Sequence, residues 1–417
     1  MVITPLLWAS LDRFSFLFSF MPRNPIEWNP LTGRLETAPL SIKMIPYVVS
    51  VIIEFLTFLL PPLIIGSFKL FGLISVPLDD MVVLIVLLLV GWICFMGEIL
   101  VATTGYQIVF LMNYVGVLLL IFKRGHVWTV QEVVYLGEAI SVCSSPRKMP
   151  GVIPEPGKNI DILGHVANLV TTTFGLYPHF ATVFFLHTEM DPISQFYRFL
   201  LPKSRLLYFI IMLLLRPTFI WVTFLQISRF FTMVFCICTI AERLVLDRIS
   251  EMNRTIGKYW TSRYEVLKNH DILQILLQYS SDLTTNLVGI IKFGGLILSV
   301  AFNYVTLSMF DVIPMRLYLA FAIVSALLPI IIESMLPPLV DVYEEEVKLH
   351  WRLGRSLHLP WTWKFLTKRV KAARILRVYC GIMQYNFYHL KKSTKVRYWF
   401  IILNYTISAL LARRGKR

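Results

Sequence analysis

The chain has 417 residues, of which 56% are hydrophobic and 16% charged, with a mean hydropathy of +0.67. A soluble protein carries about 25% charged residues, and a folded soluble surface cannot hide so large an apolar excess; disorder, a secreted disulfide scaffold and an ordinary cytosolic enzyme are excluded. The net charge of +15 fits cytoplasmic loops drawn to anionic lipid headgroups, with no nucleic acid as partner.

Residues 1–43 are apolar and aromatic but broken by Asp12 and Arg13, without the basic start or small-residue cleavage site of a signal peptide. They read as a cytoplasmic N-terminal tail, amphipathic and resting on the bilayer. A hydrocarbon core of about 30 Å takes roughly 20 apolar residues in helical form. The first such run is 44–67, containing Glu54 and Pro61-Pro62, and the second is 81–101. Residues 102–124 are long enough to span, but are read as a helix continuing toward the cytoplasm and ending at Lys123-Arg124. A Pro-, Gly- and Ser-rich loop follows to Asn159.

The third span is 160–187. The fourth, 205–239, exceeds one crossing and so predicts a tilted helix projecting past the membrane. It runs into residues 240–286, where charged and apolar residues alternate at helical spacing, predicting a cytoplasmic helical hairpin. Spans five and six are 287–308 and 317–336, joined by a tight link. A charged section, 337–395, includes a basic helix predicted over 364–377, and 396–412 forms a last span before the extracellular tail 413–417.

These seven spans predict an all-α polytopic membrane protein over 44–336 and 396–412. With the N-terminus inside, the cytoplasmic segments hold 28 Lys and Arg and the outer segments nine, so the positive-inside rule predicts a cytoplasmic N-terminus and an extracellular C-terminus. The sequons at Asn253 and Asn404 then lie in the cytoplasm and in the membrane, where neither should carry sugar. The cysteines show no metal spacing, and no disulfide framework is expected.

No nucleophile elbow, zinc-protease helix or phosphate-cradling glycine loop is present, so neither an enzyme nor a cofactor is expected. The informative element is the last helix. At helical spacing Arg397, Ile401, Asn404 and Ser408 share one face. Polar groups in a membrane helix should face protein or water. Two readings follow: a narrow water-filled path gated at a hydrophobic constriction, or hydrogen bonds across a helix–helix interface. Charges inside or near apolar windows are Glu54, Glu98, Arg216, Arg229, Lys292 and Glu333; Lys292 is placed to snorkel, and Glu98 and Glu333 to pair with basic neighbours.

The run Arg397-Tyr398, five apolar residues, Asn404-Tyr405 resembles the signature of the insect gustatory receptor family: Thr-Tyr, five apolar residues, Gln-Phe, in the seventh and last membrane helix. Tyr398 keeps the Tyr, Asn404 stands for Gln and Tyr405 for Phe, while Arg397 replaces Thr. The layout, with a charged helical section before the last span, also resembles that family and its odorant receptor relatives. The resemblance implies a multi-pass plasma-membrane chemoreceptor acting as a ligand-gated cation channel. It would be a homotetramer, or a heteromer with related subunits, embedded in membrane lipid. Four final helices would line the pore, placing Asn404 at or beside the gate with Ile401 and Ser408 near it; sections 240–286 and 339–395 would form a cytoplasmic anchor. A pocket for a small organic ligand would lie among helices two to six, where Phe174, Tyr177, Tyr208, Arg216, Trp221, Tyr304, Tyr318 and Phe321 are candidates. For any one of these aromatics a lipid-facing role is the competing reading. A G-protein-coupled-type receptor or a transporter is the alternative for the whole chain.

Overall fold

The computed structural model describes residues 5–38, 41–123, 161–200, 211–256, 261–310, 313–356, 364–382 and 385–414. Tyr208 and the whole of the Pro-rich loop up to Asn159 lie outside these. The elements are α1 (Pro5–Leu17), β1 (Ile26–Asn29), β2 (Arg34–Thr37), α2 (Ile45–Glu54), α3 (Leu60–Leu70), α4 (Leu78–Lys123), α5 (Ile162–Thr188), α6 (Pro192–Leu200), α7 (Arg216–Thr255), α8 (Thr261–Tyr279), α9 (Ser281–Ser308), α10 (Met315–Ser356), α11 (Lys364–Ala372), β3 (Tyr379–Ile382), β4 (Tyr385–His389) and α12 (Lys392–Arg414). Among the described residues, six helical stretches are long and apolar enough to cross a membrane: Ile42–Leu70, Asp80–Asn113, Ile162–Phe199, Met212–Thr255, Ser281–Ser308 and Tyr318–Arg355. They match the first six expected spans; α12 is not among them.

Helix α7 is the axis of the bundle and the most buried of the six stretches. Its polar residues Thr223, Gln226, Ser228, Arg229, Thr232 and Thr239 are buried along with its apolar ones, as expected of a helix surrounded by protein on all sides. Around it pack α1, α2, α4, α5 and α10.

The N-terminal segment is built into this core, which corrects the expectation of a tail laid on the bilayer. Leu7, Leu11 and Phe14 of α1 and Phe18 just beyond it are buried in the main hydrophobic cluster. Arg13 donates to Thr172 Oγ1 at 3.0 Å and the Asn168 amide to the Leu6 carbonyl at 2.9 Å. The antiparallel β1–β2 hairpin is clipped to α4 by Asn113, whose amide both receives from Leu35 N (3.2 Å) and donates to Leu35 O (2.8 Å). Trp28 of β1 stacks on Trp8 and donates to Asp12.

Helix α4 runs unbroken through 102–123, so the helical continuation is the observed form of that stretch. At about 1.5 Å per residue it is some 69 Å long, well beyond one bilayer core. Helix α10 likewise carries the sixth span straight on through Pro329, Pro337 and Pro338 to Ser356. Beyond the apolar part, the ends of α7 and α10 join α8 and α11 in a second cluster containing Ile249, Leu267, Leu349, Leu353 and Val370.

Among the described residues two hairpins depart from an all-helical chain. Besides β1–β2, Tyr379–Ile382 and Tyr385–His389 pair as the antiparallel β3–β4 hairpin with an irregularity between Cys380 and Gly381, and the basic helix stops at Ala372, short of the expected 377. The hairpin lies on α9 because two glycines let backbones touch: a Cβ on Gly289 would stand 2.1 Å from the Gly381 carbonyl oxygen, and one on Gly381 would stand 2.0 Å from the Tyr385 oxygen. Cys380 and Leu390 are buried beneath it with Val288 and Val340.

Candidate functional site

The hairpin delivers the chain into α12, the helix that carries the polar stripe. Three of its residues face the body of the chain: Tyr398, Ile402 and Thr406 are buried, Tyr398 and Ile402 against Leu336, Leu296, Val300 and Ile332 of α9 and α10. Arg397, Ile401, Asn404 and Ser408 are all exposed. With about 100° per residue, the centres of the two stripes lie more than 90° apart around the helix axis. The polar groups of α12 are therefore turned away from the rest of their own chain, and the interface reading of Asn404 and Ser408 does not hold within the subunit.

Tyr398 is the fastening at the root of the helix. Its hydroxyl donates to the Lys292 carbonyl at 3.0 Å, in the space left by Gly295, where a Cβ would approach the hydroxyl to 3.0 Å. The Lys292 side chain does not snorkel. It is 6% exposed, and its ammonium, without a hydrogen-bond partner, sits 5.2 Å from the ring centroids of both Tyr388 and Tyr398. One residue of α9 thus gathers the hairpin and α12 through cation–π contacts. A second tie is the Lys395–Glu333 ion pair to α10. Tyr405 is exposed and makes no ring contact among the described residues.

The pocket candidates fall into separate groups. Phe174 and Tyr177 of α5 lie 6.4 Å apart; Tyr177 meets Phe224 edge-on at 5.8 Å, and Phe174 meets Phe231 at 6.1 Å. Trp221 donates to His179 and stacks on Phe20. On the other side of the bundle Phe321 packs against Phe302, Tyr318 meets Phe310 edge-on, and Tyr304 borders the main cluster. Among the described residues no ring contact joins these groups.

Phe224, which sequence reasoning did not single out, is the hub of the first group, touching Phe58, Tyr177 and Phe185. Its signal was the all-round apolar and small-polar composition of the fourth span. Arg216 is committed elsewhere: its guanidinium pairs with Asp191 at 2.6 Å and reaches the Phe185 and Leu186 carbonyls, while Asp191 also caps α6 by accepting from Ser194 N. Glu98 accepts from the Gln226 amide at 2.6 Å, and Arg229 donates to the Pro22 carbonyl at 2.6 Å. Glu98 thus takes an amide as its hydrogen-bond partner, with the basic Arg229 close enough to act on its charge.

No family model matches the chain, and no curated protein matches its sequence. Solved structures do. The structure of the insect olfactory receptor OR5 from Machilis hrabei in complex with eugenol superposes with a TM-score of 0.61 at 10% identity, covering 97% of this chain and 98% of that one. A second structure of the insect olfactory receptor OR5 from Machilis hrabei gives a TM-score of 0.56 at 10% identity over the same shares. The fold is that of an insect olfactory receptor. The similarity covers nearly the whole of both chains, so the olfactory receptor fold includes α12 and the helical cluster below the apolar spans, as well as the six apolar helices.

Proposed function

We propose that this chain is a chemosensory receptor of the insect gustatory type, in which a small organic tastant or odorant opens a non-selective cation pore in the plasma membrane. In this reading α12 is the seventh span, the N-terminus is cytoplasmic and four subunits, identical or related, meet around a shared axis. The ends of α7 and α10 with α8 and α11 form the cytoplasmic anchor. The observation that carries the proposal is the orientation of α12: Tyr398, Ile402 and Thr406 hold it to its own subunit while Asn404 and Ser408 face outward. An amide and a hydroxyl facing lipid would be poorly accommodated; facing a water-filled axis, they line it, with Ile401 as the apolar constriction. The receptor from Machilis hrabei has this fold and was solved with eugenol, an aromatic small molecule, which supports a ligand site among the aromatic residues of the spans.

The test is electrical. The chain is expressed alone in cells, challenged with sugars, bitter compounds and volatile organics, and recorded with and without Asn404→Ala. Ligand-evoked current whose ion selectivity changes in the variant supports the pore; G-protein signalling without current overturns it.

A further inference from the structure

Below the apolar spans, where side chains of α8 and α10 share the second cluster, three ligand-type side chains meet. Glu346 and His350 lie one turn apart on α10, and His270 comes from α8; the three groups present donor atoms that all lie within 4.8 Å of one another. His270 Nε2 is 2.6 Å and His350 Nδ1 3.6 Å from the same oxygen, Glu346 Oε1. The His270 and Glu346 side chains are 1% and 0% exposed, and His350 is 18% exposed. From Tyr318, about 20 residues suffice to cross a bilayer core, so Glu346 and His350 stand beyond the hydrocarbon on the continuing helix.

The hydrogen bonds around the cluster suit a bound cation. His350 Nε2 is 3.0 Å from the Ala373 carbonyl, so that nitrogen carries a proton and donates it. Nδ1, aimed at the Glu346 carboxylate oxygen, then either holds a second proton, as an imidazolium paired with Glu346, or gives its lone pair to a cation shared with that oxygen. Glu346 Oε2 and His270 Nδ1 are also buried without a hydrogen-bond partner. The far nitrogen of His270 faces Asp271 Oδ1 at 3.9 Å, and Asp271 is held by Arg369 of α11. His350 therefore has one nitrogen toward Glu346 and the other hydrogen-bonded to a carbonyl, the arrangement that orients and tunes metal-bound histidines.

We propose that His270, Glu346 and His350 bind a divalent transition-metal ion of the zinc class. Two imidazoles and a carboxylate suit zinc and disfavour calcium or magnesium, which take oxygen donors. Around a tetrahedral ion with bonds of 2.0–2.1 Å, donor atoms stand about 3.3 Å apart, so the present separations of 2.6 and 3.6 Å need shifts of less than 1 Å. Three protein ligands leave the fourth position to water. The ion clamps α8 to α10, with the end of α11 supplying the carbonyl that aims His350. This site stands independently of the channel reading.

The full-length, untagged chain purified in detergent is incubated with zinc, desalted, and assayed for metal per chain; a parallel sample is loaded with cobalt and its visible spectrum recorded. The expected result is one zinc per chain, an intense visible band of tetrahedral cobalt, and an X-ray absorption edge fitted by two imidazoles with oxygen and no sulfur. His350→Gln, at the most accessible ligand, should weaken zinc binding at least about 100-fold while eluting as the parent does. The edge measurement needs no variant, so a misfolded substitution does not blunt the test. Failure of the parent chain to retain zinc, sulfur in the coordination sphere, or equal retention by a folded His350→Gln would each overturn the proposal.

Discussion

The Tyr398 hydroxyl donates to the backbone carbonyl of Lys292, 106 positions earlier in the chain, while the ammonium of that same lysine lies over the tyrosine ring. The signature tyrosine of the last helix is thereby a fastening to α9, and its neighbours Asn404 and Ser408 are left free to face a partner or water.

Tyr398→Phe keeps the ring and loses the hydrogen bond, so it should destabilise the protein by about 0.5–1.5 kcal/mol. Tyr398→Ala removes the packing as well and should cost roughly 3–5 kcal/mol. Thermal unfolding of the detergent-purified chain orders the two variants; equal losses would contradict the separate contributions of ring and hydroxyl.

The two stripes of α12 should respond oppositely. Ile402→Ala empties a position that is 2% exposed and should cost about 2–5 kcal/mol. Asn404→Ala and Ser408→Ala, on the exposed face, should stay within about 0.5 kcal/mol of the parent subunit. The same thermal measurement decides this, before any recording of current.

Gly289→Ala should dislodge the β3–β4 hairpin, because the new methyl group would meet a backbone oxygen at 2.1 Å. Gly354→Ala, where the added Cβ meets nothing within 4 Å, should gain up to about 1 kcal/mol from helix propensity. Limited proteolysis near 383–391 reads the difference: faster cleavage is expected in the Gly289 variant alone.

Arg216→Met strands the buried Asp191 carboxylate and should cost about 3–5 kcal/mol. Adding Asp191→Asn, which keeps an oxygen able to accept from Ser194 N, should recover part of that loss. A double-mutant cycle on melting temperature gives the coupling; a cycle that sums to zero would show that the pair contributes nothing.

Hydropathy made the six apolar spans legible because their runs of Val, Leu and Ile can sit only in lipid or in a core, and helical spacing on α12 put Arg397, Ile401, Asn404 and Ser408 on one face. The hairpin at 379–389 was not legible. The sequence there offers no strong turn dipeptide, and what seats the hairpin is a backbone approach between Gly289 and Gly381, far apart in sequence. Lys292 was misread for a related reason: snorkelling is the local solution for a lysine near a helix end, and Tyr388 and Tyr398 arrive from nearly a hundred residues away or more. The N-terminal helix looked amphipathic enough to rest on lipid, and nothing local in its sequence revealed that α5 and α7 cover its apolar face. The His270–Glu346–His350 cluster was hidden because only Glu346 and His350 share a helix, one turn apart, and the third member, His270, comes from another helix, 76 residues before Glu346.

Pro337 and Pro338 lie inside α10, and a proline leaves the carbonyl four residues earlier without its amide donor. For this pair those carbonyls belong to Glu333 and Ser334, and Glu333 is the residue that grips Lys395 at the start of α12. The soft joint of the longest arm of the sixth span therefore coincides with its handhold on the final helix. Flexing at that joint would reach α12 near its base, through this ion pair and the packing of Ile332 and Leu336 on Tyr398 and Ile402, where Tyr398 also moors the helix to α9.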